Sequence, residues 1–176
     1  MQKPFAFSLL PFTSMVAFCF LLLALSLTAC SFNPGLQGKG EAYLQGEWRQ
    51  DSVPMQQKLT EYSHYNISFS CDSFYMQIKS FSKVNNGADS CTGSGHWTEY
   101  VKGGYSQHND TLQMRGQFCH ANYSLKEEGG CLRSGIYEES FKVNKKGDSL
   151  LQFLGSSVIP IEVHLIKRTT CTQKSL

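Results

Sequence analysis

The side chains best equipped for chemistry in this chain are its cysteines, seven in 176 residues. A thiol can act as a nucleophile, ligate a metal or close a disulfide. Cys71, Cys91, Cys119, Cys131 and Cys171 stand singly along the chain, with no Cys-x-x-Cys among them. Cys91 with His96 and Cys119 with His120 lack the spacing of zinc ligands, so no metal site is expected and no cofactor is implied. His64, His96, His108, His120 and His164 share no motif. Glu127-Glu128 and Glu138-Glu139 pair carboxylates in sequence, but neighbours on a strand point to opposite faces, which separates them as an acid/base couple. Gly-x-Ser-x-Gly, Walker A and Gly-x-Gly-x-x-Gly are all absent from the sequence. The chemistry left to these cysteines is bridging, which depends on where the protein resides.

Residues 1 to 30 bear on that location. Lys3 is the only early charge, an apolar run extends from Val16 to Leu25, and small residues precede Cys30. This is the pattern of a signal peptide over residues 1–29, and the run is shorter than the ~20 apolar residues of a spanning helix. Leu27-Thr28-Ala29-Cys30 resembles a bacterial lipobox. The resemblance implies cleavage before Cys30, acylation of Cys30 with palmitate-type chains, and stable membrane attachment through several chains on one residue. The alternative is a secreted protein cleaved near Ala29, with Cys30 a plain cysteine. Ser31-Phe32-Asn33-Pro34 lacks the acidic residues that accompany surface export in Bacteroidota. A lipoprotein of that type would sit in the cell envelope, on the outer membrane facing the periplasm.

An exported chain can keep disulfides, so five mature thiols besides Cys30 predict two bridges and one spare. Cys119 with Cys131 is the first expected pair, because Glu128-Gly129-Gly130 supplies a turn between them. Among Cys71, Cys91 and Cys171 the choice stays open, although Cys71 with Cys91 would tie together the ends of the Phe74–Val84 strand region. About 147 residues remain after cleavage, enough for one domain with its own core. Loss of Lys3 leaves 15 Lys and Arg against 14 Asp and Glu, a net charge near +1. That balance gives no electrostatic reason to expect nucleic acid and shows no polybasic patch for a membrane surface.

The elements that must position these side chains are strands. Residues 30–40 are polar, carry Pro34, Gly35, Gly38 and Gly40, and read as a tether to a domain over 41–176. Beyond it, Ile67, Phe69 and Cys71, then Phe74, Met76 and Ile78, alternate with polar neighbours or Tyr75. Leu112 with Met114, Phe141 with Val143, and Ile161 with Val163 and Leu165 repeat the pattern. Period two places one set of side chains on a core face. Asn85-Asn86-Gly87, Gly103-Gly104, His108-Asn109-Asp110, Gly129-Gly130 and Lys146-Gly147-Asp148 supply turns between the runs. Only Val53 to Ser63 differs: Met55, Leu59 and Tyr62 follow Pro54 at helical spacing, predicting a short helix or irregular crossover. The whole predicts a mostly β fold, a single antiparallel meander closing into an up-and-down barrel with one short helix.

Leu44-Gln45-Gly46-Glu47-Trp48, ahead of the meander, resembles the Gly-x-Trp motif of lipocalins and of lipocalin-like lipoproteins of Bacteroidota. Asp110-Thr111-Leu112 and Asp148-Ser149-Leu150 resemble strand starts of the same group. The resemblance spans Tyr43 to about Arg168 and implies a barrel plugged at one end by Trp48. Separately, Gly155-Ser156-Ser157-Val158-Ile159-Pro160 resembles the serine loop of the fumarase and aspartase superfamily, a label that small Bacteroidota lipoproteins also carry. That likeness implies Ser157 as a proton-abstracting base. Ile159, Glu162 and His164 stand where the motif has methionine, lysine and asparagine.

Three functions follow as expectations. A hollow barrel would bind a small apolar or amphipathic ligand against inward aromatics such as Phe74, Trp97 and Phe141. A filled barrel would serve as an envelope interaction module working through its outer surface. A fumarate hydratase-like lyase would rest on Ser157 alone.

Overall fold

In the computed structural model, described over residues 37–84, 91–127 and 130–173, eight strands follow one another in chain order. They are β1 (Gly46–Arg49), β2 (Glu61–Ser70), β3 (Ser73–Ser82), β4 (His96–His108), β5 (Thr111–Cys119), β6 (Ile136–Gly147), β7 (Leu150–Leu154) and β8 (Ile161–Arg168). Each pairs antiparallel with its sequence neighbour, and β1 also pairs with β8, closing the sheet into a lipocalin-like barrel. Closure leaves no strand at an outer edge of the sheet, although β1 covers only Asn66–Phe69 of β2 and β7 only Lys142–Gly147 of β6. The signal peptide expected over residues 1–29 and the expected lipidation site Cys30 lie outside the described residues.

The alternation in sequence translates directly into an inside and an outside. Ile67 and Phe69 on β2, Phe74, Met76 and Ile78 on β3, Val101 on β4, Leu112 and Met114 on β5, Phe141 and Val143 on β6, and Val163 on β8 all face one shared core. Phe69 packs edge-on against Tyr105, and Phe141 against Phe153, with ring centroids 5.1 and 5.8 Å apart. Such offset rings add about 0.5–1.5 kcal/mol each beyond their buried area.

The connections give the two ends different characters. At one end β2–β3, β4–β5 and β6–β7 are joined by two-residue turns, with Cys71 and Asn109 at positive φ. Leu44 and Trp48 plug this end: both are buried, and the Trp48 indole N–H donates to the Leu44 carbonyl at 2.7 Å. The Arg168 guanidinium lies over the Trp48 ring at 5.3 Å. Gly46 has φ +137°, and a Cβ there would run into the Lys167 carbonyl of β8. The glycine of the Gly-x-Trp pattern is thus a close-approach residue where the barrel closes. Gly38, late in the expected tether, already donates its N–H to Asp72 Oδ2 at 2.7 Å. The opposite end, the mouth, carries the longer connections over residues 83–95, 120–135 and 155–160.

Two expectations are corrected. Cys71 bridges Cys171 and Cys91 bridges Cys131, with Cα–Cα distances of 4.7 and 5.8 Å, while Cys119 is a free, buried thiol. Neither Cys119–Cys131 nor Cys71–Cys91 forms. Cys119 ends β5 inside the strand ladder, and the chain doubles back at once, with Cys119 bridged to Leu125, rather than at Gly129-Gly130. The remaining loop then carries Cys131 to Cys91 of the β3–β4 connection. The short helix or irregular crossover expected over Val53 to Ser63 is a single 3-10 turn, Gln56–Lys58, in an otherwise irregular connection, with Met55 at a left-handed φ of 56° and Tyr62 held in β2 opposite Phe81.

Candidate functional site

The outward set on β2, β3 and β4 is unusual for a solvated face. Asn66 and Ser68, Tyr75 and Gln77, and Tyr100 all point outward, and register places Asn66 opposite Gln77 and Gln77 opposite Tyr100. The Asn66 Nδ2 group donates to Gln77 Oε1 at 2.8 Å, and Gln77 Nε2 donates to the Tyr100 hydroxyl at 3.3 Å. This ladder runs across three strands and fixes the orientation of each amide. It remains half-buried because a loop covers part of the wall.

That loop follows β5. Tyr123 donates its N–H to the His120 carbonyl at 2.8 Å, His120 donates to Ser124 O at 3.0 Å, and the Asn122 side chain accepts from Ser124 N–H at 2.9 Å. The turn holds Tyr123 at φ 61°. A bulky side chain in this region costs energy and persists only where surrounding bonds enforce it. The result sets the Tyr123 ring 4.9 Å from Tyr75 and 6.3 Å from Tyr100, centroid to centroid. Burial pushes the Tyr123 hydroxyl pKa upward. Between loop and wall lies a groove of about 460 Å³, with Glu47 and Arg49 of β1 and Ile166 of β8 on its far side. Ile166 is the extra residue of a bulge, since Glu47 pairs with Lys167 and Trp48 with Leu165.

The mouth holds a second polar set. Glu99 is buried on the inward face of β4 and accepts from both Arg133 N–H and the Arg133 guanidinium at 2.7–3.0 Å. That bond raises the Arg133 pKa further. Tyr65 and Tyr137 have hydroxyl pKa values pushed up by burial. With Glu139, Phe141 and Ser157 they line a cavity of about 140 Å³. Small-molecule sites run to roughly 300–1,000 Å³, so this space suits solvent or a very small ligand.

The residues singled out from sequence are dispersed. Phe74 and Phe141 fill the core, and Trp97 lies half-buried near the mouth end of β4, so the three do not line a common chamber. Ser157 sits in an exposed turn, its Oγ accepting from Ile159 N–H at 3.2 Å. Glu162 and His164 lie on the outward face of β8, away from the mouth cavity. The residues resembling the lyase loop are therefore not assembled around one point. Among the described residues, no three His, Cys, Asp or Glu side chains gather as metal ligands. Sequence reasoning did not single out Asn66, Gln77, Tyr100 or Tyr123 as site residues. The available signal was the aromatic and amide content of outward positions, interpretable only once register was known. No protein-family model matches this chain, and neither curated protein sequences nor solved structures give a match.

Proposed function

We propose that this protein is a lipid-anchored envelope recognition module, with a filled barrel as scaffold and the outer wall of β1–β4 as the binding surface. The observation carrying this reading is the occupancy of the interior. Trp48, Phe69, Phe74, Met76, Leu112, Met114, Leu151 and Phe153 are essentially fully buried and share the space an apolar ligand would need. Interiors packed in this way do not yield a ligand-sized void without losing several kcal/mol of contacts. The outer groove, by contrast, is open and of ligand size. Anchoring rests on Leu27-Thr28-Ala29-Cys30.

Two measurements test the halves of this reading. Titration with N-phenyl-1-naphthylamine should give no saturable uptake by the purified protein; saturable uptake with a change in Trp48 emission would show a hollow barrel instead. Growth with labelled palmitate should label the wild type and leave Cys30→Ala unlabelled. Equal label in both would remove the anchor.

A further inference from the structure

Building on the outer wall as the binding surface, we infer that the groove beside Tyr123 takes a neutral oligosaccharide. Sugars offer flat C–H faces alternating with paired hydroxyls, and the groove offers the complement of both. Tyr75 and Tyr123 are exposed, and their rings meet at 67°, while Tyr100 and Tyr123 meet at 86°. The rings therefore form a corner, one a base and another a wall, rather than a closed stack. A tyrosine supplies apolar area together with a polar tip at low cost in side-chain entropy.

The amide ladder supplies directionality. An amide has two N–H donors and two acceptor lone pairs. The ladder uses one donor of Asn66 and one donor and one acceptor position of Gln77, and it leaves Tyr100 accepting with its own O–H free to point outward. Adjacent donors and acceptors on a fixed frame match vicinal hydroxyls.

Charge and topology narrow the ligand class. Charges of both signs surround the groove: Arg49 is held by Asp51 at 3.0 Å, Glu47 stands opposite Lys167 of β8, and Lys102 of β4 stands opposite Tyr75. Signs so interspersed form no cluster of one charge that would select a phosphate, a sulfate or an ammonium group. An acyl chain laid across the ladder would bury amides without new partners, which is unfavourable. An extended peptide adding as a strand needs a free sheet edge, and β1 to β4 are paired on both sides where they line the groove. The groove volume falls in the small-molecule range and is open along the wall, so a chain of sugar rings can lie in it.

The full-length mature protein in detergent micelles should be screened on an array of neutral, sulfated and sialylated glycans, with hits measured by calorimetry. Saturable binding to one or more neutral oligosaccharides is expected. Gln77→Leu and Tyr100→Phe should each weaken it about tenfold or more, Tyr123→Ala further, and Glu138→Gln on the opposite wall not at all. Melting curves of every variant separate a lost contact from a lost fold, since Tyr100→Phe keeps the ring and changes one oxygen. Binding confined to charged glycans, no glycan binding, or binding indifferent to Gln77 and Tyr100 each overturns the inference. Absence of glycan binding together with a dry interior sinks only this inference, whereas apolar uptake by the barrel sinks the recognition-module reading as well.

Discussion

Gln45 shows how much one buried amide can organise. Its Oε1 accepts from Cys71 N–H at 2.7 Å, and its Nε2 donates to Cys71 O at 2.8 Å and to the Tyr105 hydroxyl at 3.0 Å. These bonds hold Cys71 at its positive φ, a conformation otherwise unfavourable for a side-chain-bearing residue. Gln45→Leu strands a buried backbone N–H, and equilibrium urea unfolding should show a loss of about 2 kcal/mol. His64 makes a pH-dependent contribution of defined sign. Its pKa is lowered from 6.5, first by burial against Tyr62 and Phe81 and then by Lys79. The folded state thus prefers the neutral ring, and its contribution is complete above the unfolded pKa and lost as pH falls through the folded one. The drop in melting temperature between about pH 7.5 and about pH 5.5 should be smaller in His64→Gln than in wild type. An equal drop would assign the acid sensitivity elsewhere.

At the scale of elements, strands were legible, as were the tight turns at Asn109-Asp110 and after Gly147, while other connections were not. Alternation at Ile67–Phe69, Phe74–Ile78 and Leu112–Met114 is a local property, set by which side of a pleat meets the core, and every one of those side chains is buried. The Gly103-Gly104 turn reading failed for a physical reason. Gly103 lies within β4 directly opposite Gly116 of β5, where a Cβ on either would strike the facing strand's carbonyl. Glycine here permits close strand approach rather than a turn, a distinction invisible without the partner strand. Gly103→Val should therefore destabilise by more than the ~1 kcal/mol scale of strand propensity, shown by a lower denaturation midpoint. A variant as stable as wild type would mean the strands can separate at no cost. The short helix or crossover expected near Pro54 is there as one 3-10 turn in an irregular connection, shorter than the spacing implies because Tyr62 satisfies a cross-strand pairing with Phe81, stacked at 4.9 Å.

For the whole molecule, closure and bridging decide stability, and connectivity could not be deduced because it depends on which loops meet at which end. Cys71–Cys171 closes a loop of sequence separation 100. In the chain-entropy view such a loop contributes about 4.7 kcal/mol, an upper figure. Cys171→Ser should lower stability by several kcal/mol. Non-reducing peptide mapping should recover 71–171 and 91–131 as linked pairs, with Cys119 alkylated only after unfolding, since burial pushes its thiol pKa up. The proposed binding wall was hidden for the same reason as the bridges: Asn66, Gln77, Tyr100 and Tyr123 span four segments of sequence and converge only through register. The clamp at the plugged end has a mechanical consequence. Gly38 is bonded to Asp72, Gln45 to Cys71, and Cys71 covalently to Cys171, so both termini of the barrel converge on the β2–β3 turn. Tension on the chain ahead of Gln37 would meet the Gly38–Asp72 and Gln45–Cys71 hydrogen bonds before β1 could peel, while the bridge keeps the segment after β8 tied to that turn whatever happens to β1.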